Sequence, residues 1–154
     1  MDKHSEKQVN DLSLLFHEIL FLKNNLSLGK DFSNLDKFSE NEISIINILG
    51  HNDNVTLKDI INVIKVPKST LTGLINKLEK NNYVKRSIND VDKRSYKLEL
   101  TEEGIKVSKE HDEFDRTVSE KVLSALNDSQ DRELFIKLFG EIINNLKSEI
   151  KENK

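Results

Sequence analysis

The stretch SINDVDKRSYKLELT, residues 87–101, places Asp92 two positions before Arg94, with Lys93 between them. A carboxylate so close to a guanidinium can engage it through two parallel hydrogen bonds and fix its direction before a partner arrives. The chemistry on offer is recognition of negative charge by a pre-aimed cation. A second group stands upstream in PKSTLTGLINKLEKNN, residues 67–82. Read as a helix, that segment gathers Leu71, Leu74, Ile75 and Leu78 on one face. The opposite face carries Ser69, Thr72, Gly73 and Asn76, with Lys68, Thr70 and Lys77 alongside. It is small, polar and uncharged at its centre, with lysines at its margins.

Both groups lie in one basic part of the chain. Between Lys65 and Lys97 nine lysines and arginines stand against three acids (Glu79, Asp90 and Asp92), a local charge of +6. The whole chain carries −3, which leaves −9 for the remainder. Such asymmetry marks a surface for a polyanion confined to one module. Other chemistries find no support. With no cysteine in 154 residues, disulfides, CxxC redox motifs and thiol nucleophiles are excluded. No Gly-rich phosphate loop, nucleophile elbow or HExxH helix occurs. The expectation is therefore that the chain is not an enzyme and needs no cofactor. The opening MDKHSEKQVND lacks the apolar centre of a signal peptide, and no run of about 18 apolar residues follows. A cytoplasmic protein with no membrane association is expected.

The elements that must position these residues follow from periodicity. Residues 6–27 carry a helical stripe of Val9, Leu12, Phe16, Ile19, Leu20 and Leu26. Ser39 and Glu42 form a capping box that opens a helix through Ile43, Ile46, Ile48 and Leu49, ending at Gly50. Thr56 caps a short helix with Leu57, Ile60, Ile61 and Ile64 inward. Pro67, the sole proline, suits the first turn of the next helix, where no N–H is needed. YVKRSI (83–88) and RSYKLEL (94–100) read as strands of a hairpin, the second with Tyr96, Leu98 and Leu100 on one face. Thr101 then caps a long helix with apolar residues from Ile105 to Leu126. A final helix carries Leu134, Phe135, Leu138, Phe139, Ile142, Ile143, Leu146 and Ile150, a stripe wider than a lone peripheral helix needs to bury.

Helix, tight link, helix, then hairpin is the order of a winged helix-turn-helix. The expected fold class is mainly α with a small β-hairpin wing (α+β). Residues 39–101 form the DNA-binding module, and 1–38 with 102–154 form a helical dimerisation region. In this arrangement the recognition helix, 67–80, enters the major groove of DNA, and the wing, 88–95, reaches the adjacent minor groove. Arg94, held by Asp92, suits that narrow groove of enhanced negative potential.

STLTGLINKLEKNNYVKRS and DKRSYKLELTEEG, with Asp-x-Arg-Ser followed by alternation and Leu-Thr-x-x-Gly, resemble the MarR family of bacterial transcription regulators. The helical layout on both sides matches as well. The resemblance implies a homodimer with intertwined terminal helices, bound to a pseudo-palindromic operator, usually as a repressor relieved by a ligand. It implies that Asp92 orients Arg94, that Ser69, Thr70 and Thr72 face bases and phosphates, and that Lys68 and Lys77 contact phosphate. At Gly73 many members carry a larger, often basic residue, so the operator sequence does not transfer by analogy.

The family's usual effector, a small aromatic or phenolic anion between dimer helices and winged domain, would have Phe16, Phe38, His51 and Phe114 as candidate lining. Some zinc-sensing relatives place histidine pairs on the long helix after the wing. Here HDEFD sets His111 and Asp115 at i, i+4, a spacing that can serve a metal. The second position is aspartate and cysteine is absent, so no metal is expected and these two are the candidates. The alternatives to an effector-released repressor are a zinc-responsive regulator and a winged helix used for protein contacts.

Overall fold

The computed structural model describes residues 5–25, 32–88 and 96–152. The chain divides into two units, Met1–Asp31 and Phe32–Lys154.

The first unit contains α1, Glu6–Asn25. Ser5 and Gln8 cap it reciprocally: Gln8 N–H donates to Ser5 Oγ (3.2 Å) and Ser5 N–H to Gln8 Oε1 (2.9 Å). Val9, Leu12, Phe16 and Ile19 share a helical stripe, and each is more than half exposed.

The second unit begins with a single 3₁₀ turn at Leu35–Lys37, followed by Phe38, whose ring packs edge-on against Tyr83 at 4.9 Å. α2 is Glu40–His51, α3 Leu57–Ile64 and α4 Lys68–Lys80. The Ser39–Glu42 capping box is present, and a second one, Thr56–Asp59, starts α3. Between α3 and α4, Lys65 takes the left-handed conformation (φ 55°), which turns the chain sharply. Asn82, also left-handed (φ 61°), turns it again into β1, Val84–Ile88. β2, Tyr96–Leu100, pairs antiparallel with it, from Val84 opposite Leu100 to Ile88 opposite Tyr96. Leu98 N–H also donates to Val55 O (2.8 Å), tying the segment before α3 to the hairpin.

α5, Glu102–Ser124, starts at Thr101, which accepts from Gly104 N–H (3.1 Å) and donates to Asn82 O (2.5 Å). α6 is Ser129–Glu152. No helix among the described residues is long and apolar enough to cross a membrane.

Ile45, Ile46 and Leu49 of α2, Val55, Ile60 of α3, Leu71, Ile75 and Leu78 of α4, Val84, Leu98, and Val107 of α5 make one buried core. Burying a side chain of this size contributes about 1.5–3 kcal/mol. The expected inward face of α2 is rotated by one position. Ile45 replaces Ile48 at the centre, Ile43 and Ile48 are half-buried, and Glu42 is buried in line with Ile45, Ile46 and Leu49. α2 continues through Gly50 to His51, because Gly50 lies against the side chain of Ser108 where α2 crosses α5. The core thus continues past the hairpin into the first turns of α5. On β2 the alternation holds at Leu98 and Leu100. Tyr96 and its cross-strand neighbour Ile88 are exposed, where the hairpin leaves the core.

Candidate nucleic-acid interface

α4 presents three strips. Leu71, Ile75 and Leu78 face the core. Ser69, Gly73, Asn76 and Lys80 recur at i, i+4, i+7 and i+11, one stripe along the opposite side, and all four are exposed. Thr70 and Lys77 border that stripe on one side, Thr72 and Glu79 on the other.

Each border is tied to a neighbouring element. On the first, Lys77 Nζ meets both carboxylate oxygens of Glu42 in α2, at 2.8 and 3.0 Å. Glu42 is only 1% exposed. Its carboxylate also accepts from Ser39 N–H and Ser39 Oγ, both at 2.9 Å. Burial pushes the Glu42 carboxyl up. The hydrogen bonds from Lys77 and Ser39 outweigh that, and the group sits below the usual carboxylate range. Asp59 is likewise held low by its hydrogen bonds to Thr56. Both groups therefore bind a proton less readily folded than unfolded. Their contribution to stability is full above the unfolded pKa and lost as pH falls through the lower folded value. Urea midpoints are expected to be flat from pH 7 to about pH 5 and to fall steeply below about pH 4. A midpoint that held constant to pH 3 would contradict this assignment.

On the second border, Arg86 of β1 donates from Nη2 to Asn76 Oδ1 (2.7 Å), and its Nη1 lies 3.4 Å from Glu79. α4 is thus clamped between α2 and the hairpin. The hairpin's other described cations gather on Glu99: Lys97 at 3.2 Å and Lys85 at 3.9 Å. Ser87 Oγ also donates to that carboxylate (2.9 Å). Among the described residues, Lys65, Lys68 and Lys80 engage no acid. Lys68 and Lys80 stand at the two ends of α4.

Of the expected contact residues, Ser69, Thr70, Gly73 and Asn76 are exposed along or beside the outer stripe. Thr72 is half-buried and donates its hydroxyl proton to Lys68 O (2.8 Å), leaving lone pairs to offer outward. Thr72, Arg86 and Tyr96 border a cavity of about 710 Å³ between the start of α3, α4 and the hairpin. Asp92, Lys93 and Arg94 lie outside the described residues. Sequence reasoning misses Arg86 as a determinant. Its partners are on another element, and no local spacing announces them.

Of the four effector candidates, Phe16 lies in the first unit and Phe38, His51 and Phe114 in the second. Phe16 belongs to α1 in the first unit, where it borders a groove with Val9 and Leu12. Phe38 lies beside Tyr83, Glu42 and Lys77 around a cavity of about 220 Å³. His51 lies at the far end of α2, 3.3 Å from Asp112, bordering a different cavity of about 500 Å³. Phe114 packs edge-on against Phe32 at 5.4 Å. His111 Nδ1 stands 3.4 Å from Asp115. No cluster of three or more potential metal ligands occurs among the described residues.

Residues 38–96, from Phe38 to the first residue of β2, match the MarR family model. Over 93 residues the chain is 30% identical to the HTH-type transcriptional regulator YfiV of Bacillus subtilis (strain 168). That match covers 58% of each, so the chain spans under two thirds of this relative's length. Among solved structures, FabT of Streptococcus pneumoniae, in complex with DNA, superposes with a TM-score of 0.71 at 23% identity. The match covers 97% of this chain and all of that one (100%). MepR of S. aureus superposes as a point mutant with a TM-score of 0.68 at 19% identity, covering 87% of this chain and 97% of MepR. Bound to ethidium bromide it superposes at 0.60 and 17% identity, covering 93% and 97%. These structures share the fold of this chain, a mainly helical winged helix with a two-stranded antiparallel hairpin. By the matched module and the fold around it, the chain is similar to the MarR family over residues 38–96.

Proposed function

We propose that this protein is a homodimeric, sequence-specific DNA-binding transcriptional regulator, a repressor released by a small-molecule effector. One observation carries the DNA-binding part. α4 holds an uncharged, small-residue stripe outward between two ion-paired flanks, with unpaired lysines at both ends. A helix so presented fits a major groove, its lysines reaching phosphates and Ser69, Thr70, Gly73 and Asn76 the base edges. The FabT structure, solved with DNA, supports the same use of this fold. In this reading the wing, 88–95, takes the adjacent minor groove, with Arg94 as its cation and Asp92 as the orienting partner. Lys93 adds charge beside it.

Dimerisation is supported by α6, where Leu134, Phe135, Leu138, Phe139, Ile142, Ile143 and Leu146 are all more than a third exposed in the single chain. An apolar face this long calls for a second copy, and two copies match a pseudo-palindromic operator. Release by an effector is supported by MepR, solved with ethidium bromide bound.

Arg94→Ala is expected to weaken operator binding about ten- to a hundredfold in a gel-shift titration. Circular dichroism and the native mass spectrum should be unchanged. Unaltered affinity would overturn the wing assignment. Failure of the native protein to shift any duplex at low salt would overturn the function.

A further inference from the structure

We propose that Arg86 is a specificity-determining positioning residue. It turns the Asn76 amide so that α4 reads guanine rather than adenine at one position of each half-site. The inference rests on the DNA-binding function proposed above and names what that surface recognises.

A guanidinium carries donors and no acceptor. Whichever way an asparagine amide is turned, only its oxygen can face Arg86. The 2.7 Å contact from Arg86 Nη2 to Asn76 Oδ1 therefore settles the amide's orientation by chemistry. Glu79, 3.4 Å from Nη1 and one helical turn beyond Asn76, holds the other arm of the guanidinium and keeps it from swinging away. The amide's second edge, its NH₂, is then turned away from β1. No described residue accepts from it, and Asn76 lies on the exposed stripe. Next to it on that stripe is Gly73, one turn earlier, around whose missing side chain nothing lies within 4 Å. A base edge can approach the amide there without meeting a side chain.

Asparagine ordinarily reads adenine with both edges, accepting from N6 and donating to N7. With the oxygen drawn to Arg86, Asn76 offers a pair of N–H donors. The base that presents only acceptors in the major groove of a purine is guanine, through O6 and N7. Arg86 touches no base in this scheme. Its role is to choose which edge of Asn76 does.

The test is enrichment of bound sequences from a random duplex pool by the full-length native protein, Asn76→Asp and Arg86→Met, followed by sequencing. Asn76→Asp keeps the partner of Arg86 but replaces the outward NH₂ with an acceptor. The preferred base at one position of each half-site should change from guanine to cytosine, whose N4 donates, by about tenfold. Arg86→Met frees the amide to turn, and the same position should relax to accept adenine with guanine while the others hold. Loss of the Arg86 charge would also lower affinity for all sequences alike, which the positional preference does not register. Thermal melts confirm that each variant folds, and Asn76→Asp, on an exposed stripe, keeps the test open should Arg86→Met unfold. Identical preferences in all three proteins, or adenine selected there by the native chain, would overturn the proposal. A native protein that enriches no sequence would instead remove the DNA-binding function beneath it.

Discussion

Replacing Gly104 with alanine is expected to lower the unfolding free energy by about 3 kcal/mol, the upper end for overpacking a tight site. A methyl group there would overlap the backbone carbonyl oxygen of Tyr83 and stand 3.1 Å from Leu100 Cδ2. The leucine methyl can give way, but the backbone carbonyl cannot yield cheaply. Tyr83 O already accepts from Thr101 N–H (3.1 Å), the residue that caps α5, so pushing it away also loosens the cap. The whole start of α5 would have to lift from the hairpin. In a chain of this size the melting temperature should fall by roughly 10 °C. The same substitution at Gly73 should act in the opposite direction. That glycine lies inside α4 with open space around it, so alanine removes backbone freedom from the unfolded chain and adds about 1 kcal/mol of stability. Paired urea titrations of Gly104→Ala and Gly73→Ala check both signs. Equal effects would show that the approach of α5 to Tyr83 is not as close as described.

The second large effect is expected at Lys77. Its side chain is more than half exposed, whereas its partner Glu42 is buried, so the pair is asymmetric. Lys77→Met preserves the aliphatic stem but strands a carboxylate in the interior with only Ser39 to serve it. A loss of about 2–3 kcal/mol at pH 7 is expected. Without the ammonium, which helps hold it low, the Glu42 carboxyl moves up from its native position. It then takes a proton as the solution is acidified, and the penalty shrinks. The native-to-variant difference should accordingly be largest near pH 7 and clearly smaller near pH 4. Glu42→Gln keeps an oxygen for the Ser39 N–H and should cost about 1 kcal/mol. A difference between native and Lys77→Met that stayed constant across pH would contradict the buried-carboxylate account.

What is local in this fold is legible in the sequence. Ser39 with Glu42 announces the start of α2, and Thr101 that of α5. Leu71, Ile75 and Leu78 announce the buried face of α4. The resemblance to the MarR family comes from the same stretch, because its motif residues sit close together in the chain. What depends on distant partners is not legible. Glu42 is marked by its spacing as a cap, and nothing nearby says that it is also buried against Lys77, 35 residues away. Taking it for a solvent residue rotates the inferred face of α2 away from Ile45. Arg86 reads as one cation among nine until the hairpin folds beside α4 and brings it to Asn76 and Glu79. Gly104 looks like one more glycine after a cap, and its necessity comes from the Tyr83 carbonyl above it. The dispersal of Phe38, His51 and Phe114 has the same origin. Aromatic content indicates that something packs, and only the tertiary arrangement decides what against.

The central claim is that α4 and the neighbouring wing form one cationic surface for duplex DNA within an otherwise acidic chain. Fluorescence anisotropy of a labelled duplex, titrated with the native protein between about 50 and 200 mM salt, tests it most directly. The account predicts that the logarithm of the association constant falls linearly with the logarithm of salt concentration. The slope should be about −5 or steeper, as about six phosphates are neutralised by the two subunits together. No association at the lowest salt, or an affinity indifferent to salt, would contradict it.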